Sequence, residues 1–319
     1  MKLGVFTPLL SRLSLGDVLK KLAAHQISTV ELGTGNYPGD AHCKLSMLND
    51  RAALGTFKQT LADHGFSISA LSCHGNPLHP NRALAKQHQE TSRKTIRLAE
   101  KLGVGVVVDF SGCPGDSPHA KYPNWVTCPW PPDYLDVLKW QWERVVEPYW
   151  TKQAKFAADY GVKIAIEMHP GFVVYSPETL LRLREMAGPE IGCNYDPSHM
   201  FWQGIDPIAA IRVLGDAIFH VHAKDTQIYD RNLPLTGVLD TKPYTDERHR
   251  AWIFRTCGYG HGEGWWREFV STLRMFGYDS VLSIEHEDSL LSAEEGLTRA
   301  ASFLNQIVLR EAPGPAFWA

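Results

Sequence analysis

A chain of 319 residues, 44% hydrophobic and 21% charged, can bury a large core, and this length suits one α/β barrel or two smaller domains. The formal net charge of -3 provides no general basic field, which argues against a surface built for nucleic acid. No apolar run approaches membrane-spanning length, the opening MKLGVFTPLL lacks the pattern of a secretory leader, and the six cysteines form no C-x-x-C pair, so a cytoplasmic chain with free thiols is expected.

Strand and helix alternate along the chain. Residues 2–7 (KLGVFT) read as a first strand, and Ser14 followed by Asp17 reads as an N-cap opening a helix with Leu15, Val18, Leu19 and Leu22 on one face. The second strand, 28–34 (STVELGT), ends near Glu31. A helix over about 50–63 stops at His64-Gly65, where glycine suits the left-handed cap position. The third strand is 68–75 (ISALSCHG), followed by a helix over about 81–102. The fourth, 104–112 (VGVVVDFSG), has the near-continuous valines of a parallel strand covered on both faces.

Residues 113–136 break the rhythm. This stretch is rich in proline and aromatics, and long connections of that kind are usually lids or binding loops. Trp125 within it is a candidate to stack on a sugar face, or else packs the loop down. A helix over about 134–160 leads to the fifth strand, 163–169 (KIAIEMH). Ser176-Pro177-Glu178 opens the next helix, with serine at the cap and proline at the first helical position. Strands six, seven and eight follow within 191–199 (IGCNYDPSH), 217–225 (AIFHVHAKD) and 280–288 (SVLSIEHED), with helices after Asp206-Pro207, over 264–276 and over 294–310. Eight β-then-α units point to a single-domain (β/α)8 TIM barrel over residues 1–311, with a long insertion between strands 7 and 8. Residues 312–319 are expected to be an irregular tail whose Phe317 and Trp318 cover a subunit or barrel surface.

In such a barrel the strand C-termini open onto one face, where active sites sit. Glu167, Asp196, His222 and Glu285 end strands five to eight, so four consecutive strands bring four ligands together across long sequence gaps. A carboxylate ending an apolar strand is costly to bury without a positive partner. Three carboxylates and one imidazole form a mostly oxygen site, suited to one divalent metal, manganese first, with magnesium or cobalt as alternatives. A divalent ion holding the carbonyl and adjacent hydroxyl of a keto-sugar acidifies the carbon-bound proton between them. Glu167 and Glu285 come from separated strands, so one can take a proton and the other supply one. His169 shares the parity of Glu167 and is a second acid–base candidate, or a hydrogen-bonded rim residue. Lys224 shares the parity of His222 and either binds a substrate oxygen or pairs with an acid. Arg255, from the long insertion, is a candidate substrate clamp or a structural residue.

The set IEMHP, NYDPSH, HVHAKD and SIEHED resembles the xylose-isomerase-like TIM-barrel superfamily along essentially the whole chain. That resemblance implies the epimerase-like ligand set Glu167, Asp196, His222 and Glu285, with His199 as a substrate-oxygen contact beside the metal. His74, beyond the third strand, joins the substrate-binding candidates. The implied activity is a divalent-metal-dependent sugar isomerase or epimerase acting on a small carbohydrate, and homo-oligomers are common in such barrels, with a second subunit left open. The long segment 226–258 and the lack of an arginine shortly after His222 depart from the simple epimerase pattern, and the insertion, the HVHAKD to GYGHG region and SIEHED also resemble relatives that work on oxidised glycosides, so the alternative is a lyase that cleaves 3-keto-glycosides by β-elimination. An endonuclease of the same superfamily would need more histidines: Asp109-Phe110-Ser111 and Gly260-His261-Gly262 stand where its metal ligands would be expected.

Overall fold

The computed structural model describes residues 1–316 and Trp318; Phe317 lies outside the described residues, and Trp318 is exposed. The first half of the chain runs β1 (Lys2–Phe6), α1 (Leu15–Ala24), β2 (Thr29–Gly33), α2 (Arg51–Asp63), β3 (Ser67–Ser72), α3 (Arg82–Leu102) and β4 (Val106–Phe110). Then come α4 (Asp133–Gln141), α5 (Glu147–Asp159), β5 (Lys163–Glu167), α6 (Pro177–Ala187), β6 (Ile191–Tyr195), α7 (Ser198–Phe201), α8 (Pro207–Leu214) and β7 (Ile218–Ala223). The chain finishes with β8 (Asp225–Ile228), α9 (Leu233–Thr236), β9 (Trp252–Arg255), α10 (Glu263–Met275), β10 (Val281–Ile284) and α11 (Ala293–Asn305).

Eight of these strands close a parallel barrel in the order β1-β10-β7-β6-β5-β4-β3-β2, which is the (β/α)8 arrangement the alternation predicts. Parallel pairing places Glu167 beside Phe110 on one side and Asn194 on the other, so strand ends that carry chemistry lie level with one another. Local signals act where the sequence puts them. Ser14 accepts from the amide of Asp17, Ser176 and Thr179 form a reciprocal capping box with Pro177 at the first turn, and Gly103 ends α3 with φ 72°. No helix among the described residues is long and apolar enough to cross a membrane.

Two elements differ from the sequence expectation. The helix predicted over 134–160 is split by a π-helical turn at Trp142–Val146. Pro148 explains the split, because it lacks an N–H and its ring crowds the carbonyl one turn earlier, so the backbone widens just before it. The connection between the seventh and eighth barrel strands is not a plain loop. β8 and β9 pair antiparallel, with Asp225 opposite Arg255 and Ile228 opposite Trp252.

This hairpin has its own small core of Trp202, Ala251, Trp252 and Phe254, separate from the main barrel core. Its base is fixed by Asp225, whose fully buried carboxylate accepts from the amides of Gly258, Gly260 and His261 and from the Trp266 indole. Gly260 is required there: a Cβ would lie 2.3 Å from the Thr226 carbonyl oxygen and 2.5 Å from Asp225 Oδ1. The loop after β4 is tied down differently, by buried Gln141, whose side-chain amide donates to the carbonyls of Gly115 and Asn124 at 3.0 and 2.7 Å.

Candidate metal centre

Four strand ends converge at the barrel mouth. One ligand atom from each of Glu167, Asp196, His222 and Glu285 lies within 4.8 Å of the other three. His222 Nδ1 is 3.4 Å from Glu167 Oε2 and 3.1 Å from Glu285 Oε2, and His199 Nε2 bridges Glu167 Oε1 and Asp196 Oδ2 at 3.1 and 3.2 Å. Lys224 Nζ touches Asp196, Glu285 and Glu287 at 3.0, 2.7 and 2.9 Å. Asp196, Glu285 and Glu287 thus surround one ammonium group while Glu31 and Glu167 lie against His222, a concentration of carboxylates that a cation would relieve.

The residues fit a metal ion on two further grounds. Asp196 Oδ2 and His222 Nδ1 are buried and make ion-pair contacts only, Oδ2 with Lys224 and His199 and Nδ1 with Glu167 and Glu285, without a well-formed hydrogen bond, so both are positions where a cation would complete the geometry. The surroundings of His222 allow it: Nε2 lies 2.9 and 3.1 Å from the two oxygens of Glu31, and as the donor there it would leave Nδ1 to hold a cation in place of the proton that the carboxylates around it otherwise stabilise. Glu31 in turn accepts from Ser72 and Ser283, so its oxygens are committed to orienting the imidazole.

Electrostatics follow from burial against partners. Burial would raise the carboxyl of Glu31, but His222 and His220 outweigh it and bring it to about 2. For Glu167, Asp196 and Glu285 burial acts in the same upward sense, and the neighbouring cationic groups reverse it, so all three lie below the ordinary carboxylate range. Burial would lower His199, yet the Asp196 carboxylate holds it at about 9. His169 is pushed down to about 3 by burial and by His199. Its Nδ1 sits 2.6 Å from the Pro170 carbonyl, so Nδ1 carries the proton of the neutral ring and Nε2 is the free acceptor.

Each residue singled out from sequence has a definite place. Glu167, Glu285, His169, Lys224 and His74 line a cavity of about 310 Å³ at the barrel mouth, together with Phe6, Tyr37 and Phe110. His74 donates to Glu167 Oε2 at 2.9 Å, where Asn194 also donates. Among the four ligand candidates, Glu285 is the most accessible, with 14% of its side chain exposed against 3% or less for the others. Trp125 stands apart, edge-on to Tyr175, and lines a neighbouring cavity. Arg255 points its guanidinium at Asp288 and Gln227, at 3.0 and 2.7 Å, and does not line either cavity. His220 is satisfied by Asn194 and Ser69, and the ring of His286 packs against Gly296, where a Cβ would come within 2.2 Å of it.

Sequence reasoning overlooked Glu31, Asn194 and Glu287. Glu31 shares the signal that identified the others, a carboxylate on an apolar barrel strand, but it sits in the first half of the chain, away from the four consecutive ligand strands. Asn194 precedes Asp196 by two residues on β6, and so shares its inward parity.

Comparison with known proteins bears on the fold and the family. Residues 19–307 match the family described as Xylose isomerase-like TIM barrel. The protein YfiH of Bacillus subtilis, described as uncharacterized, is 42% identical over 312 residues, covering 97% of this chain and 99% of its own. Among solved structures, a D-tagatose 3-epimerase-like protein superposes with TM-score 0.62 at 22% identity, covering 96% of this chain and 98% of that one. The IolI protein, solved with a bound zinc atom, superposes with TM-score 0.66 at 19% identity, covering 97% and 98%. At those identities the two structures speak for the fold, whereas the family match and the full-length relative go further: this chain belongs to the xylose isomerase-like TIM barrel family.

Proposed function

We propose that this chain is a divalent-metal-dependent isomerase or epimerase that removes the proton α to the carbonyl of a keto-sugar. One observation carries the reading. Glu167 and Glu285 approach His222 Nδ1 from separate strands and line the same cavity, so two carboxylates face a single small substrate. The cavity, about 310 Å³, is at the small end of the range for ligand pockets and suits one sugar unit. The family match supports an enzyme of this general kind, and one neighbour of the same fold is named epimerase-like while another holds a zinc atom.

A divalent ion bound by Glu167, Asp196, His222 and Glu285 would polarise the carbonyl and adjacent hydroxyl of the substrate and stabilise the enediolate left when the proton departs. Three oxygens and one nitrogen favour manganese, with magnesium or cobalt as substitutes. Glu285, the more accessible carboxylate, takes or returns a proton on one face of the substrate, and Glu167 does so on the other. Lys224, held by Asp196, Glu285 and Glu287, lines the cavity and would turn one of its three N–H groups to a substrate oxygen once a metal takes up the ligand carboxylates. His169 presents a neutral Nε2 acceptor at the rim of the cavity.

The test is exchange of substrate hydrogen with heavy water, followed by NMR, with free ketohexoses and 3-keto-glucosides and with manganese or a chelator. Metal-dependent deuterium uptake at the α-carbon is expected, and its loss in both Glu167→Gln and Glu285→Gln. If the substrate carries a leaving group β to the carbonyl, the same proton removal ends in elimination, and an unsaturated sugar with released aglycone would identify a lyase. No exchange on any keto-sugar would refute the reading.

A further inference from the structure

A groove of about 540 Å³ runs between α3 and α5 on the outside of the barrel, and it shares no lining residue with the cavity at the barrel mouth. Gln153 of α5 donates to Ser92 of α3 at 3.1 Å, which holds one helix against the other. Arg82, Lys86 and Arg93 follow at intervals of four and seven along α3 and so share one face, which forms one wall. Arg144, on the π-helical turn, and Lys152 of α5 stand on the other. From Arg82 to Arg93 the cationic wall is roughly 16 Å long at the rise of an α-helix.

These five lysines and arginines line the groove with no carboxylate among them, in a chain whose formal net charge is -3. Among the described residues no acid pairs with Arg82, Arg93, Arg144 or Lys152, and Lys86 comes no nearer to Glu90 than 3.9 Å. At one end His79 accepts from the Asn81 amide through Nδ1, so Nε2 carries the proton of the neutral ring and adds a donor. Like charges facing across a cleft repel, and a cleft of one sign concentrates its field on an ion of the other. Guanidinium groups meet phosphate oxygens in bidentate pairs. The rest of the lining is largely apolar: Pro77 and Leu78 from the loop after β3, and Val145, Pro148 and Tyr149 from the facing segment. An inorganic anion would engage the cations alone, whereas an organic phosphate also covers this floor. Cations on both walls, spread over three helical turns, call for more than one phosphate group.

We propose that the groove between α3 and α5 binds a small organic anion bearing two or more phosphate groups, its phosphates between the cationic walls and its apolar part on the floor. The occupant is a ligand distinct from the substrate, and the assignment stands independently of the keto-sugar reading. Arg144 and Lys152 are exposed, so neutral side chains there change the charge without disturbing the core.

The experiment is calorimetric titration of the full-length protein at low salt with adenosine 3′,5′-bisphosphate, adenosine monophosphate, inorganic phosphate and sulfate. The bisphosphate is expected to bind about ten-fold or more tightly than the monophosphate, the worth of one further charge-assisted pair. The monophosphate should in turn exceed inorganic phosphate and sulfate. Arg144→Gln combined with Lys152→Gln should weaken bisphosphate binding about ten-fold or more, and Arg82→Gln should weaken it from the opposite wall, with circular dichroism unchanged in each. Lys20→Gln combined with Lys58→Gln removes the same charge from exposed positions on α1 and α2, and should leave the affinity as it was. No binding of the bisphosphate, or equal affinity for it and for sulfate, would overturn the assignment. Equal weakening by the two double variants would reduce it to a general field, and tighter binding of a short polyglutamate peptide or a single-stranded oligothymidylate would replace the small ligand with a macromolecule; either result refutes the proposal.

Discussion

Asp109, at the end of β4, is fully buried beside Cys73 and the Phe110 amide, and burial pushes its carboxyl from 3.8 up to about 7. A group whose folded pKa is raised contributes stability that is present below its unfolded pKa and is lost as pH rises through its folded pKa. Here the loss runs from about pH 4 to about pH 7. The displacement is worth about 4 kcal/mol in total, of which about 3 kcal/mol falls between pH 5 and pH 8.5. Asp109→Asn keeps the shape and removes the titration. The gap in Tm between variant and native protein should therefore widen by about 4 °C in favour of the variant from pH 5 to pH 8.5, at the entropy of unfolding usual for a chain of this length. Differential scanning calorimetry at the two pH values, with manganese present throughout, measures this gap. Every other titrating group is common to both proteins, so it cancels. A gap that stays constant, or narrows at high pH, would show that Asp109 does not carry the penalty.

Three further outcomes follow from the site. Chelation should lower Tm by a few degrees and manganese should restore it, since ligand at 100 times its Kd adds about 2.7 kcal/mol; Asp196→Asn, lacking one buried ligand oxygen, should show little response to either addition. Glu31→Gln should weaken metal binding by roughly 10–100-fold through loss of the His222 orientation, with far-ultraviolet circular dichroism unchanged; chelator competition reads this, and native affinity would remove Glu31 from the positioning role. Asp225→Ala strands the amides of Gly258, Gly260 and His261 together with the Trp266 indole, and should cost about 3–5 kcal/mol. Limited proteolysis should then cleave the hairpin first, and a cleavage pattern like that of the native protein would refute the anchoring role.

The eight β/α units could be read from the sequence because valine-rich runs, caps such as Ser14 and Ser176, and terminating glycines all act within a few residues of one another. The convergence of Glu167, Asp196, His222 and Glu285 was legible for a related reason, since barrel closure carries every strand end to one face. Glu31 was not, because nothing near STVELGT announces a partner 191 residues away. The β8–β9 pairing escaped as well. Its two strands are four residues each and are separated by 23 residues without a tight-turn signature, so their register depends on Trp202, Trp252 and Phe254 packing together. Trp202 itself lies directly after a four-residue helix too short to show a periodicity.

The Asp225 anchor has a consequence for how such a protein can change. It ties the base of the hairpin to the barrel just beyond the strand that carries His222, with Thr226 on the Ser198 carbonyl and Arg255 on Asp288 as further ties, while Trp202, Trp252 and Phe254 form the hairpin's own small core. Residues 229–250 can therefore be exchanged, lengthened or repacked as a cassette while the barrel's ligand strands keep their register. The strands that carry Glu167, Asp196, His222 and Glu285 and the segment that carries Tyr244 and Trp252 are thus packed in separate cores, so a change in one need not disturb the other.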